Sequence, residues 1–267
     1  MTGISQAYPK RLLSILTFIV TLFTQGALAA SAAEQLQSVI DDHWQYSLRE
    51  DPITASRMGE KGYADRLPGV SEKDRARRLR EEKTFVTRLQ QIDSAQLSAS
   101  ERVNKDLLTW VLKNSIEGNK LYLDRIPVNT FYSFWSAALD ASNGLNMPQV
   151  SDYEDYIKRI QDFGRYFDEN LANMRAGIED GFVLPKIVVE GIAPTVRAQV
   201  YQNPKQSSLY EPFKNLPENF SAGDIKRLQR EGASAIQDYA IPAFDRVATF
   251  LEGDYMDAAT DSLAAED

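Results

Sequence analysis

A single histidine, His43, is the only imidazole in the 267-residue chain, and it limits the chemistry that the sequence can carry. A zinc motif with two histidines, or a serine triad with a spare imidazole, needs more than this residue. The chain has no cysteine, so a metal cluster built from cysteine and histidine is excluded too. Asp41 and Asp42 precede His43, but adjacent residues on a helix do not face each other. We expect His43 to pack beside an apolar helical stripe, and we assign no catalytic residue and no metal ligand.

Glu190 is the most informative carboxylate, because its neighbours in the segment KIVVEG are apolar. A buried carboxyl group in such a setting suits general acid–base work or ligand binding. Lys186 lies one helical turn earlier, and an ion pair between the two residues is the alternative interpretation. The sequence therefore makes Glu190 a candidate for the lining of a substrate cleft and leaves the ion pair open.

Aromatic residues form a second candidate site. Phe131, Tyr132, Phe134 and Trp135 occupy four of five consecutive positions within the irregular segment 126–150. Long ordered connections are often functional, which indicates that Phe131, Tyr132 and Trp135 line a cleft. The alternative is that these rings plug one end of the helices around them.

The elements that must position these residues are helices. Apolar residues recur at helical spacing nearly everywhere, and no segment keeps a period of two. We therefore predict an all-α fold, an amphipathic helix bundle with long connecting loops. The predicted helices are 34–49, stopped by Asp51-Pro52; one or two turns in 52–59; 152–180, stopped by Gly181; 186–193, where a short buried strand is the alternative; and 223–251, kinked at Pro242.

Four helices are predicted to begin with the same device, a serine followed three residues later by an acid. The serine hydroxyl accepts from the third backbone amide, and the acid opposes the positive end of the helix dipole. The predicted capping serines are Ser71, Ser98, Ser151 and Ser221.

Residues 1–29 have the pattern of a cleavable export signal, with an uncleaved membrane anchor as the alternative. Lys10 and Arg11 precede an apolar run, 12–23, that is close to half the length of a spanning helix, and Ala27-x-Ala29 suggests the cleavage site. Residues 30–253 are then a helical domain, 254–267 a polar tail, and the location periplasmic or secreted. We expect no membrane anchor after cleavage.

Charge and cysteine usage bound the partners further. The net charge is −8, and loss of Lys10 and Arg11 leaves −10, because no acidic residue lies in 1–29. Such a surface repels phosphate backbones, so no nucleic-acid partner is expected. Without cysteine there is neither a disulfide framework nor a lipid-carrying residue after the signal.

The segment 153–192, YEDYIKRIQDFGRYFDENLANMRAGIEDGFVLPKIVVEGI, resembles the central pattern of a large bacterial family, domain of unknown function eight-eight-five. Shorter segments are similar as well, and the resemblance covers most of the chain after the signal. The shorter similar segments are Asp51-Pro52-x-Thr54-Ala55 followed by Met58-Gly59, Leu89-x-x-Ile92-Asp93, and Ile241-Pro242-Ala243-Phe244.

The resemblance implies an exported, largely helical protein about twice as long. Members carry an H-E-x-x-P-G-H-like motif in their second half, similar to a zinc-peptidase site in which the glutamate activates water. No segment of this sequence matches that motif, so we expect zinc and a peptide substrate only in a full-length relative. The chain then looks like the family's N-terminal half, inactive alone, with the missing C-terminal half as its main packing partner.

Two hypotheses follow from the resemblance. In the first, the chain is the N-terminal helical portion of an exported zinc-metallopeptidase-like hydrolase and forms one wall of its substrate cleft. In the second, it is a non-catalytic periplasmic helical binding or scaffold module.

Overall fold

The structure is a computed structural model that describes residues 30–263, so the predicted export signal lies outside the described residues. The predicted all-α fold is confirmed: within 30–263 no strand forms, and β-type pairing is limited to two isolated bridges. No helix in this range is long and apolar enough to cross a membrane. The α-helices are α1 Ala32–Glu50, α2 Pro52–Arg57, α3 Glu72–Gln91, α4 Ala99–Asn119, α5 Phe134–Leu139, α6 Val150–Gln161, α7 Phe163–Glu179, α8 Lys186–Arg197, α9 Ala222–Ala235, α10 Ile241–Glu252 and α11 Asp254–Ala258.

Three of the four predicted helix starts are confirmed. The hydroxyls of Ser71, Ser98 and Ser221 each accept from the amide three residues on, at 3.2, 3.3 and 3.0 Å, and so begin α3, α4 and α9. The prediction for Ser151 is wrong, because that residue lies inside the first turn of α6. The cap and its acid lie two positions earlier than predicted: Gln149 is the N-cap residue, and Asp152 accepts from the backbone amide of Gln149 at 2.8 Å.

The long apolar stripe predicted for 152–180 is buried, but it belongs to two helices. α6 ends at Gln161 and α7 begins at Phe163, with Asp162 between them. The carboxylate of Asp162 accepts from the backbone amide of Leu67 at 2.9 Å and pairs with Arg165. We attribute the one-residue interruption to this attachment of Asp162 to the loop before α3. The positive φ of Gly181, 72°, ends α7 as predicted.

Both proline expectations need adjustment. Pro185 begins α8 as predicted, and the strand alternative for this segment is wrong, yet the helix continues through Pro194 to Arg197. Proline there removes one backbone hydrogen bond, and the buried side chains of Ala193 and Val196 hold the helix against the core. Near Pro242 the predicted break appears as a π-helical segment, Ile236–Ala240, between α9 and α10.

Two hydrophobic cores organise the helices. The smaller core joins α1, α3 and α4 through side chains such as Leu36, Leu89 and Leu112. The larger core is built by α5 to α11 together with parts of the connecting loops. Of the candidate site residues, Trp135 belongs to the larger core.

The segment after Gly253 differs from the predicted polar tail. α11 buries the ring of Tyr255 completely, and the hydroxyl of Tyr255 accepts from the backbone amide of Leu184 at 3.1 Å. The amide of Lys186 then donates to the carbonyl of Thr260 at 2.8 Å. One aromatic side chain and two backbone hydrogen bonds therefore attach residues 254–260 to the start of α8, in spite of their polar composition.

Candidate functional site

The aromatic segment forms a hydrogen-bonded hairpin turn rather than a loose loop. Val128 and Ser133 form an antiparallel bridge, and the amide of Asn129 donates to the carbonyl of Tyr132 at 2.7 Å. The side-chain oxygen of Asn129 accepts from the amides of Phe131 and Tyr132, both at 2.8 Å. Asparagine favours such turns because its side chain can bind backbone amides two or three residues on. The backbone that carries Phe131 is therefore fixed by the turn itself.

The hairpin is anchored to the larger core where α5 begins. Ser133 caps α5 by accepting from the amide of Ser136 at 3.1 Å. The buried ring of Phe134 meets Phe167 of α7 edge to face, with ring centroids 5.2 Å apart, and Trp135 at 4.9 Å. Aromatic pairs in this geometry contribute about 0.5–1.5 kcal/mol beyond the area they bury. The turn is thus attached to the larger core through Phe134.

Helix α8 supplies the facing wall. Val189, Ala193 and Val196 point into the larger core, which leaves the opposite face of α8 for the surface. Between that face and the hairpin lies a groove of about 580 Å³, which we call the aromatic groove. It is lined by Asn129, Thr130, Phe131, Tyr132, Ser133, Trp135, Ser136 and Leu139 on one side, and by Ile187, Val188, Gly191, Ile192, Thr195 and Gln199 on the other.

The three predicted aromatic residues lie together in this groove at different depths. The side chain of Phe131 is 100% exposed, that of Tyr132 is 53% exposed, and Trp135 is 5% exposed. Trp135 therefore forms the floor, whereas Phe131 stands free at the rim. Burial, together with the negative charge of Asp51, raises the pKa of Tyr132, so its phenol stays neutral at physiological pH.

Glu190 does not join them. The prediction that its apolar sequence neighbours bury it is wrong, because adjacent helical residues face different directions and Glu190 is exposed. It lines a smaller neighbouring depression with Lys186, Asp261 and Leu263. The alternative ion pair is also wrong, since the ammonium of Lys186 pairs with Asp261 at 2.9 Å.

Sequence reasoning missed the residues of α8 that complete the groove. Ile187, Gly191 and Thr195 follow one another at a spacing of four, which places them on one helical face. That spacing was a usable signal, but nothing in the sequence indicates which segment the face opposes. At Gly191 an added Cβ would meet no atom within 4 Å, so the protein's own packing does not require glycine there.

Among residues 30–263 no group of three or more histidine, cysteine, aspartate or glutamate side chains could hold a metal ion. The expectation for His43 is confirmed: its ring packs against Tyr46 and Phe85, with centroids 5.7 and 5.5 Å apart.

The fold and the site define an all-α protein with an aromatic groove between a hairpin turn and a surface helix. Residues 52–267 match the family described as "Bacterial protein of unknown function (DUF885)", and the chain belongs to that family. No curated protein matches the sequence.

Solved structures share the fold. One of them is the crystal structure described as "the putative lipoprotein from Colwellia psychrerythraea", which is 12% identical with a TM-score of 0.73. The match covers 86% of this chain and 42% of that chain, so this chain spans less than half the length of that protein. At this identity the likeness shows the fold alone.

Proposed function

We propose that this chain is an exported protein that binds apolar peptide segments in the aromatic groove. In longer family members the groove would form one wall of the substrate cleft of a zinc-metallopeptidase-like hydrolase. The observation that carries the proposal is the fully exposed ring of Phe131 on a hydrogen-bonded turn. A large apolar side chain that a hydrogen-bonded turn presents to solvent beside an apolar groove is typical of a binding surface.

The chemistry of the groove supports a peptide as its occupant. Trp135, Ile187 and Ile192 supply apolar surface, while Thr130 and Gln199 add uncharged hydrogen-bonding groups among the lining residues. A peptide matches this mixture, because every residue brings an amide and a carbonyl beside its side chain. The volume of the groove, about 580 Å³, lies within the range of roughly 300–1,000 Å³ typical of small-molecule sites.

The course of the chain supports the idea of a cleft wall. Thr260 pairs with the backbone at the start of α8, and the exposed side chain of Leu263 lines a depression that also includes Ile187. Ile187 lines the aromatic groove as well. In a longer relative, polypeptide that continues from this point would begin beside the groove and could complete the cleft, with the catalytic metal on that added part.

A non-catalytic binding module is the second candidate, and one observation favours it. Both walls of the groove come from residues 129–199 of this chain. The groove can therefore bind a peptide without any further polypeptide. The two candidates share the binding step and differ in whether hydrolysis follows.

Export is the part of the proposal that rests on the sequence. Residues 1–29 have the order of basic residues, apolar run and small residues that secretory signals share. The solved structure from Colwellia psychrerythraea is described as that of a "putative lipoprotein". We therefore infer a periplasmic or secreted location.

The binding step is tested with a matched pair of glycine variants. Gly191→Met puts a side chain into the groove, whereas Gly118→Met adds the same side chain to α4; an added Cβ meets no atom within 4 Å at either position. Fluorescence anisotropy would measure the affinity of the purified chain for a labelled, unstructured peptide rich in Phe and Leu. We expect at least tenfold weaker binding by Gly191→Met and unchanged binding by Gly118→Met. Equal affinities of the two variants would refute binding in the groove.

A further inference from the structure

The aromatic groove has no charged lining residue. Its lining consists of apolar and uncharged polar side chains only, although Asp, Glu, Lys and Arg make up 25% of the chain. The two charged residues nearest to it along α8, Lys186 and Glu190, line the neighbouring depression. The groove is therefore a neutral patch on a protein whose net charge is −8.

A neutral lining has consequences for the occupant. A charged side chain that enters the groove loses water and finds no opposite charge, which is costly. An acidic side chain also meets repulsion from the net negative charge of the protein. A lysine or arginine would be attracted to the protein as a whole, but no lining residue of the groove would pair with it. Both signs of charge are therefore disfavoured at this position.

The shape of the groove adds a preference among uncharged side chains. Trp135 provides an aromatic floor, and the exposed ring of Phe131 provides an apolar edge. Gly191 leaves open space on the facing wall, where any larger residue would fill part of the volume. A ring or a branched aliphatic group can pack against both walls there, and aromatic contacts contribute beyond the buried area.

We infer that the aromatic groove is a specificity site that accepts an uncharged apolar side chain of a peptide, aromatic or branched, and rejects acidic and basic side chains. This inference rests on the proposed function. A peptide is favoured over an acyl chain because Thr130 and Gln199 line the groove with hydrogen-bonding groups, to which a hydrocarbon could offer no partner.

A peptide series tests the selection directly. Four labelled peptides of one sequence would differ only at a central residue, Phe, Leu, Asp or Lys, and their affinities for the full chain would be measured at low and high salt. We expect the Phe and Leu peptides to bind at least tenfold more tightly than the other two. The order should persist at high salt, because the cost of desolvation is not screened as surface attraction is.

A charge placed in the groove should change the selection. Thr195→Asp introduces a carboxylate at an exposed lining position, and Thr84→Asp makes the same change in charge on the exposed face of α3. Both threonine hydroxyls donate to a backbone carbonyl of their own helix, so the two variants are matched. We expect Thr195→Asp to bind the Lys peptide at least fivefold more tightly than the unsubstituted chain does. Thr84→Asp should bind it no more tightly than the unsubstituted chain.

The outcomes separate the two proposals. Equal affinity for all four peptides, abolished by Gly191→Met, would overturn the selection and leave the proposed function standing. Tighter binding of the Asp or Lys peptide would overturn the selection as well. No binding of any peptide, or displacement of the probe by a neutral acyl chain alone, would overturn both.

Discussion

The side-chain oxygen of Asn129 lies 2.8 Å from the backbone amide of Phe131 and accepts its hydrogen bond. This contact, with the parallel one to Tyr132, fixes the turn that presents an exposed ring at the rim of the groove. Preorganisation of this kind lowers the entropy that binding would otherwise cost. The geometry of the turn is thus as important to the proposed function as the aromatic residues themselves.

Removal of the Asn129 side chain should weaken binding more than folding. Asn129→Ala loses two hydrogen bonds in an exposed turn, and each contributes about 0.5–1.5 kcal/mol. We expect a several-fold loss of peptide affinity and a small decrease in Tm. Asn203→Ala is the control, because Asn203 accepts from the amide of Lys205 in a similar turn. An equal loss of affinity in both variants would contradict the role of the turn.

His43 should titrate below its ordinary value, which is about 6.5. Burial lowers its pKa, and the negative charge of Glu82 opposes the shift only in part. Because the chain has one histidine, the imidazole proton signal in an NMR titration reports this pKa without assignment. A pKa at or above 6.5 would contradict the packing of His43 between Tyr46 and Phe85.

The same shift predicts how stability depends on pH. The unfolded chain takes up a proton on His43 near pH 6.5, while the folded chain does so only at lower pH. Stability should therefore fall as the pH drops from about 7 through the folded-state pKa, and show no contribution from His43 above that window. In thermal melts, His43→Gln should lose less stability over this interval than the unsubstituted chain.

Arg159 should be a major contributor to stability. Its guanidinium is fully buried in α6 and donates to the carbonyls of Pro52 and Tyr63 and to the hydroxyl of Ser56, at 3.2, 2.8 and 2.9 Å. Burial lowers its pKa to about 10. Arg159→Met leaves these acceptors without their donor, and we expect a loss of about 3 kcal/mol in the free energy of unfolding.

The control for Arg159 is an arginine at the surface. Arg246 is partly exposed and pairs with Asp168 at 2.9 Å, and exposed pairs contribute about 0–1 kcal/mol. Chemical denaturation of Arg246→Met should therefore show a far smaller loss. Similar losses in the two variants would mean that Arg159 does not hold the α2 region as described.

The outer face of α4 should bind a hydrophobic dye. Val103, Leu107 and Trp110 are largely exposed and lie on one helical stripe, whereas Leu112 faces the smaller core. Leu107→Glu should lower the fluorescence of a bound hydrophobic dye and change the free energy of unfolding by no more than about 0.5 kcal/mol. Thr84→Glu, on the exposed face of α3, controls for the added charge; an unchanged dye signal in Leu107→Glu would show that this face does not bind the dye.

The helices could be predicted from the sequence because their signals are local. Ser98 and Glu101 lie three residues apart, and the stripe in 152–180 repeats over neighbouring turns, so both patterns can be recognised without knowing the fold. The interruption at Asp162 could not be predicted in this way, since we attribute it to a hydrogen bond with Leu67, 95 residues away.

The candidate site could be predicted on one side only. Phe131, Tyr132 and Trp135 are close in sequence and remain close in space, but the wall that faces them comes from α8, more than 50 residues on. The prediction that Glu190 is buried was wrong because residues adjacent in sequence lie on different faces of a helix: Val189 faces the core, whereas Glu190 is exposed. Such errors are expected wherever tertiary packing, rather than local spacing, decides exposure.

Photo-crosslinking tests the central claim, peptide binding in the aromatic groove, most directly. An apolar peptide that carries a benzophenone group would be irradiated with the purified chain, and the attachment sites would be located by mass spectrometry. We predict attachment within residues 129–139 and 187–199, and its loss in Gly191→Met. Attachment on the apolar stripe of α4, or elsewhere with no effect of Gly191→Met, would contradict the claim.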